Sequence, residues 1–189
     1  MNIDDFNNTI TNLIINSKDG LYNYYKKRIQ NKEILNIDDK TVIDYFLKNV
    51  DKNSKILEIA AGIGQVSHYL NINGYTNVTI NECDAKRFNL AVLINKSLNN
   101  KCQIVNNKYQ ELQLSKYDYI FTINAVSSHV GIESDFPIIK KALDNGSKVI
   151  LKEKFFGIKN DTFFTDLLKK HYKHTILFVT DTPYLLFYL

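Results

Sequence analysis

Tryptophan is absent from the 189 residues, proline occurs twice and glycine seven times. The chain therefore has no proline-rich linker, no collagen-like period and no glycine-rich tract. Only two cysteines are present, Cys83 and Cys102. Two thiols make no disulfide framework, and neither has metal-ligand spacing, so no bound metal is expected. A reduced, cytoplasmic setting is the simple expectation. Apolar runs near the ~20 residues of a membrane span are lacking. The opening Met1-Asn2-Ile3-Asp4-Asp5 has neither the basic start nor the apolar centre of a secretion signal, and no membrane partner is expected. Concentrated charge of one sign is missing too. The net +4 rests on lysines interleaved with acids, whereas a nucleic-acid reader gathers its basic residues in a patch.

What remains is an ordinary globular composition, 44% hydrophobic and 23% charged, in a length that suits one compact unit with its own core. The abundance of Asn, Ile, Lys and Tyr reads as codon bias rather than chemistry. Residues 1–50 read as a helical cap. Asp4 or Asp5 is the expected cap of a first helix with Phe6, Ile10, Leu13 and Ile14 near a 3.6 period. Asp19-Gly20 breaks it. A second stretch carries Leu21, Tyr24, Tyr25 and Ile29 on one side. A third covers 41–50, with Asp38 or Asp39 as cap.

From residue 51 the pattern changes. Strands are expected at 55–60, 77–81, 103–105, 117–123 and 148–151, the last reaching 155. They alternate with helices at 66–73, 85–98, 136–143 and 161–171. Such alternation predicts parallel strands joined by right-handed crossovers. The closing strands, 175–179 and 185–189, have no helix between them, so they must pair antiparallel. The expected fold is α/β, a three-layer sandwich around a seven-stranded, mainly parallel sheet with an antiparallel C-terminal hairpin.

The central segment is Lys55-Ile56-Leu57-Glu58-Ile59-Ala60-Ala61-Gly62-Ile63-Gly64-Gln65, a strand running into a tight turn and then a helix. Gly62 and Gly64 can take positive φ and let a ligand approach, and the helix start presents free N–H groups. Ligands of open α/β sheets sit beyond the carboxyl ends of the strands. Glu82 ends the next strand, where a carboxylate can accept both hydroxyl hydrogens of a ribose. Asp84 suits the N-cap of the helix that follows. Together these features indicate an adenosine-type cofactor. A dinucleotide fingerprint wants a third glycine where Ser67 stands, and Glu58 would repel a pyrophosphate but suit a cation.

Glu58 to Gly64 resembles the first motif of class I S-adenosylmethionine (SAM) dependent methyltransferases, an acid followed by a glycine-rich turn. Residues 78–84 resemble the second motif, with Glu82 at the ribose acid. Residues 116–126 resemble the fourth-strand motif. The likeness spans roughly residues 40–189. It implies a Rossmann-like fold with strand order 3-2-1-4-5-7-6, SAM as methyl donor, S-adenosylhomocysteine as product, and residues 51–189 as the SAM-binding domain. Site residues implied are Glu58, Ala60, Ala61, Gly62, Gly64, Gln65, Glu82, Cys83, Asn107 and Asn124. The family often has glycine where Ala60 or Ala61 stands, so these alanines are expected to keep negative φ. The family's acid after the third strand is missing from Val105-Asn106-Asn107-Lys108-Tyr109, where Asn107 offers an amide oxygen to adenine. Cys83 would line the adenine edge.

Asn124 and His129 lie after the fourth strand, at a spacing resembling that of many small-molecule methyltransferases. His129 can take a proton from a hydroxyl or amine acceptor; its other reading is a loop histidine that helps hold SAM. Lys152 and Lys154 resemble part of the tetrad of RNA 2′-O-methyltransferases, but Asn124 replaces its aspartate and residues 184–189 supply no glutamate. Tyr22, Tyr24 and Tyr25 are either a lid or ordinary helix packing. His68, His171 and His174 read as surface or packing. The expected acceptor is a small molecule, with nucleic acid and protein left open. A SAM-binding module without catalysis and a nicotinamide-dependent oxidoreductase are the alternative functions; the oligomeric state is not legible.

Overall fold

The computed structural model describes residues 1–17, 20–123, 136–152, 163–179 and 183–189. Three helices come first, α1 (Ile3–Asn16), α2 (Tyr22–Gln30) and α3 (Ile37–Asn49). The cap of α1 is Asn2, whose Oδ1 accepts the Asp5 N–H at 2.8 Å. Asp4 and Asp5 are therefore not caps; they occupy the first turn, where their charge complements the positive end of the helix dipole. The third helix starts at Ile37 rather than at 41. Asn36 and Asp39 form a reciprocal capping box, each side chain accepting the other's backbone N–H at 2.9 Å.

The rest alternates β1 (Ile56–Glu58), α4 (Gln65–Ile72), β2 (Val78–Asn81), α5 (Ala85–Ser97), β3 (Gln103–Val105), β4 (Tyr119–Phe121), α6 (Phe136–Asp144), β5 (Lys148–Lys152), α7 (Phe163–His171), β6 (Lys173–Val179) and β7 (Pro183–Tyr188). Two single-turn 3₁₀ helices, Tyr109–Glu111 and Leu114–Lys116, fill the β3–β4 connection; its sequence has no apolar period to announce them. The sheet order is β3-β2-β1-β4-β5-β7-β6. Its first five strands are parallel, and β7 runs antiparallel to both β5 and β6. The expected extension of the fifth strand to residue 155 lies outside the described residues.

Both faces of the sheet are covered, which is why its strands are apolar almost throughout. Successive residues point to opposite faces. Ile56, Tyr119, Phe121 and Ile150 join the core beneath α1–α5. Leu57, Ile120, Val149 and Leu151 join a second core beneath α6 and α7. No described helix is long and apolar enough to cross a membrane.

The N-terminal helices meet the sheet at Phe46. Its ring lies 6.4 Å from Tyr75, 5.7 Å from Tyr119 and 5.2 Å from Phe121, centroid to centroid. The fully buried Tyr75 donates its hydroxyl to the Phe46 carbonyl at 2.6 Å, with the Val50 carbonyl 3.1 Å away. Those carbonyls lie at the end of α3, where the Phe46 carbonyl also accepts the Val50 N–H at 3.0 Å. Tyr75→Phe keeps the ring and removes only this donor, so chemical denaturation should show a loss of about 1–2 kcal/mol. An unchanged midpoint would mean that apolar contact alone holds α3 to the sheet.

Candidate functional site

β1 delivers Glu58 to its carboxyl end, and the chain turns back through residues 59–64 into α4. The turn stays tied to both neighbouring strands: Ile59 N–H donates to the Phe121 carbonyl and Ala61 N–H to the Asn81 carbonyl, each at 2.9 Å. Gly62 and Gly64 have φ of 62° and 66°, as their place in the motif requires. A methyl group on Gly64 would lie 2.7 Å from Ile80 Cδ1, so only glycine lets α4 approach β2 this closely. Ala61 shows no positive φ, but Ala60 has φ of 51°. That corrects the expectation of negative φ at Ala60. The left-handed turn is imposed by the strand ties on either side, and alanine bears a strain of roughly 1–2 kcal/mol there.

Two carboxylates define the turn. Glu82 follows β2 and is buried. Its Oε2 accepts the Gly62 N–H at 2.7 Å and its Oε1 the Asp84 N–H at 2.8 Å. Asp84 caps α5 by accepting the Arg87 N–H at 2.9 Å, as its spacing predicted. Glu58 is also buried, and its Oε2 accepts from Ser67 Oγ at 2.6 Å and Ser67 N at 3.2 Å. Burial pushes the Glu58 carboxyl up to about 8; the Ser67 hydroxyl opposes this, and the nearby Asp39 charge adds to it. With nothing bound, Glu58 is mostly protonated at neutral pH, so the negative charge assigned to it from sequence is not present until a cation arrives. Ser67, notable in the sequence only as a missing glycine, is the residue that orients it.

Cys83 is exposed beside Glu82. Asn107 is exposed beyond β3; its Nδ2 donates to Glu111 Oε2 at 3.0 Å and its carbonyl accepts from Asn81 Nδ2 at 2.7 Å. The side-chain oxygen of Asn107 is thereby turned away from Glu111. Asn124 and His129, like Glu153 and Lys154, lie outside the described residues.

The N-terminal helices bring further residues to the site. Tyr25 on α2 is buried, and its hydroxyl oxygen lies 3.1 Å from where a methyl group on Gly62 would stand. The neighbouring Tyr24, expected on the apolar side, is 64% exposed; its ring stacks under the Arg87 guanidinium at 4.4 Å. Helix α2 therefore crosses from the glycine turn to the start of α5. A polar chain runs alongside. Arg28 Nη1 donates to Asp39 Oδ2 at 2.8 Å and to the Ile34 carbonyl at 2.7 Å. Gln65 Nε2 reaches Asp39 Oδ1 at 3.3 Å. Burial raises the Asp39 carboxyl above the usual range, against the pull of Arg28. Gln65 Oε1 and, at the end of β4, Thr122 Oγ1 are buried without a hydrogen-bond partner among the described residues. Buried orphans of this kind are uncommon and call for a partner.

No family model and no curated protein matches the chain. Solved structures match it in fold. Magnesium protoporphyrin IX methyltransferase (ChlM) from Synechocystis PCC 6803, solved with bound SAM, has a TM-score of 0.59 at 14% identity, over 79% of this chain and 76% of that one. The bifunctional kinase-methyltransferase WbdD has a TM-score of 0.68 at 12% identity, over 95% of this chain and 46% of that one. The T. thermophilus 16S rRNA N2 G1207 methyltransferase (RsmC), in complex with SAM and guanosine, has a TM-score of 0.63 at 13% identity, over 82% and 44%. The chain thus spans less than half the length of the last two. At these identities the likeness concerns architecture, and in architecture the chain has the class I SAM-dependent methyltransferase fold.

Proposed function

We propose that this chain binds SAM at the carboxyl edge of β1 and β2 and catalyses methyl transfer to a small-molecule acceptor. The observation that carries the reading is the joining of Glu82 to the glycine turn, 2.7 Å from Oε2 to the Gly62 N–H. A carboxylate has about four acceptor positions, so each oxygen of Glu82 can keep its backbone N–H and still accept one ribose hydroxyl. Gly62 leaves backbone without Cβ where the cofactor would approach, and Gly64 lets α4 close onto Ile80 behind it. Asn107 and Cys83 would flank adenine.

The site suits a ligand with a cationic end. Glu58 is a buried acid with Ser67 as its hydrogen-bond partner and, among the described residues, no cation beside it. Gln65 Oε1 is a buried acceptor in want of a donor. Both fit the ammonium of the SAM methionine, and the unused guanidinium donors of Arg28 fit its carboxylate. A pyrophosphate would meet the buried acids instead, which disfavours a nicotinamide cofactor. Residues 1–50 would act as a cap over the cofactor, with Tyr25 against it, and residues 51–189 as the cofactor-binding domain. Bound SAM supplies an electrophilic methyl on a sulfonium, displaced in line by the acceptor to leave S-adenosylhomocysteine. The chain's contribution is to align the two and exclude water. His129 is the candidate to take the acceptor's proton, and Asn124 a candidate cofactor contact. The small-molecule acceptor is supported by the match to the protoporphyrin methyltransferase, which covers similar shares of both chains.

Calorimetric titration with SAM, S-adenosylhomocysteine and NAD tests the reading. Both SAM species should bind and NAD should not. Glu82→Ala should weaken SAM at least ~100-fold, the worth of two charge-assisted hydrogen bonds. Glu82→Gln keeps one acceptor oxygen of the two that hold the Gly62 and Asp84 N–H groups, and an unchanged thermal midpoint in it separates that loss from misfolding. Unchanged SAM affinity in both variants would sink the ribose assignment.

Proton linkage gives a second test. Glu58 is mostly protonated below about 8 and must ionise to hold an ammonium, so binding releases a proton. SAM affinity should therefore rise with pH toward about 8, by up to ~10-fold per unit, and then level off. In Glu58→Gln the profile should be flat across that range. A native profile that is already flat would show that Glu58 does not meet the cation.

The amino-acid end can be probed separately with 5′-methylthioadenosine, which lacks the methionine ammonium and carboxylate. Gln65→Leu should weaken SAM about 10-fold or more and leave methylthioadenosine unchanged. Equal losses for both ligands would place Gln65 elsewhere.

A further inference from the structure

At the opposite edge of the sheet lies a cavity of about 320 Å³. It is formed where four neighbouring strands begin. Lys101 precedes β3, Thr76 and Asn77 precede β2, Lys55 precedes β1, and Lys116 with Tyr117 precedes β4. Because β3, β2, β1 and β4 are consecutive in the sheet, these side chains form one continuous wall. It spans three interstrand gaps, roughly 14 Å, and long lysine stems bridge such distances easily. Lys55 stands at one end of β1 and Glu58 at the other, so the cavity is separated from the glycine turn by a strand rise of roughly 10 Å.

Its lining is one-signed. Lys55, Lys101 and Lys116 line it and, among the described residues, no carboxylate does. The acids nearest this edge hold backbone N–H groups. Asp118 Oδ2 accepts the Lys55 N–H and Asp51 Oδ1 the Asn53 N–H, each at 2.7 Å. None of the three has a carboxylate partner among the described residues, whereas Lys140 pairs with Asp144 and Lys169 with Asp166. Lys116 lies only over the Tyr117 ring, at 5.7 Å. Three exposed ammoniums brought from three different elements to one concavity, beside neutral donors on Thr76, Asn77 and Gln103, offer an anion several positive charges at once.

We propose that this amino-edge cavity is a second binding site, for a compact polyanion carrying phosphate groups. Lysine serves phosphate as a point charge, and the volume falls at the small end of ligand sites, about 300–1,000 Å³. Such an anion reaches the cavity as a free oligophosphate or nucleotide tail; an extended nucleic-acid backbone has the same chemistry but would run past the concavity rather than end in it. The site is independent of the cofactor assignment.

The probe is inorganic tripolyphosphate, titrated calorimetrically into the full chain at low salt, with a single-stranded oligonucleotide and orthophosphate in parallel. Tripolyphosphate should bind more tightly than orthophosphate and lose affinity as salt is raised. The triple variant K55Q/K101Q/K116Q should bind it at least tenfold more weakly, with an unchanged thermal midpoint in the absence of anion. Glu82→Gln should bind it as the native chain does. No binding heat, undiminished affinity in the triple variant, loss of binding in Glu82→Gln, or binding of the oligonucleotide without tripolyphosphate would each overturn the proposal.

Discussion

The hydrogen bond from the Gly62 N–H to Glu82 Oε2 fixes the relation between two elements that a cofactor site needs together. The turn after β1 is left-handed at three positions, Ala60, Gly62 and Gly64, a conformation with little preference of its own. Glu82 holds its middle, and through Oε1 and Asp84 it also sets where α5 begins. Hydrogen bonds to a charged acceptor are about twice as strong as neutral ones. A buried carboxylate shared between two N–H groups can thus offset the strain at Ala60 and keep the turn open before any ligand binds.

A second constraint follows from the first. Closing α4 onto β2 at Gly64, where Ile80 leaves no room for a side chain, brings Ser67 over the end of β1 and buries Glu58. The same closure brings Gln65 to Asp39, and Asp39 carries Arg28. The first turn of α4 is therefore the joint between the N-terminal helices and the sheet. Three carboxylates, Glu58, Asp39 and Glu82, converge here with one guanidinium in direct contact. Among the described residues the buried oxygen of Gln65 has no donor, and under the proposed function the cationic end of the ligand would supply one.

Much of this was legible in the sequence where the cause is local. Positive φ at Gly62 and Gly64 follows from residue type, Asp84 capping from spacing, and the antiparallel hairpin from the lack of a helix between the last two strands. The strand order followed from family resemblance and is the one observed. What stayed hidden depends on contacts distant in sequence. Asn36 takes the cap of α3 while Asp39, the other half of its capping box, also reaches Arg28, eleven residues away in sequence. The link from Gln65 to Asp39 spans twenty-six residues, and nothing local marks Tyr25 as the side chain that lies over Gly62. The φ of Ala60 was misjudged for a related reason: its conformation is set by the hydrogen bonds of Ile59 and Ala61 to the flanking strands, which override the preference of alanine itself.

Charge offers the sharpest instance of fold creating what composition conceals. Along the chain lysines and acids alternate, and that alternation suggests no patch. But β1 to β4 are parallel, so whatever precedes one strand lies beside whatever precedes the next. Lys55, Lys101 and Lys116 all stand at strand beginnings, while Glu58 and Glu82 stand at or just beyond strand ends. Parallel pairing brings these three lysines to one edge of the sheet, where Asp118 also stands, and the two glutamates to the other. An alternating sequence in an antiparallel sheet would have mixed them. The same topology that gathers acids around the glycine turn therefore gathers ammoniums at the other edge, and the two edges are suited to ligands of opposite charge.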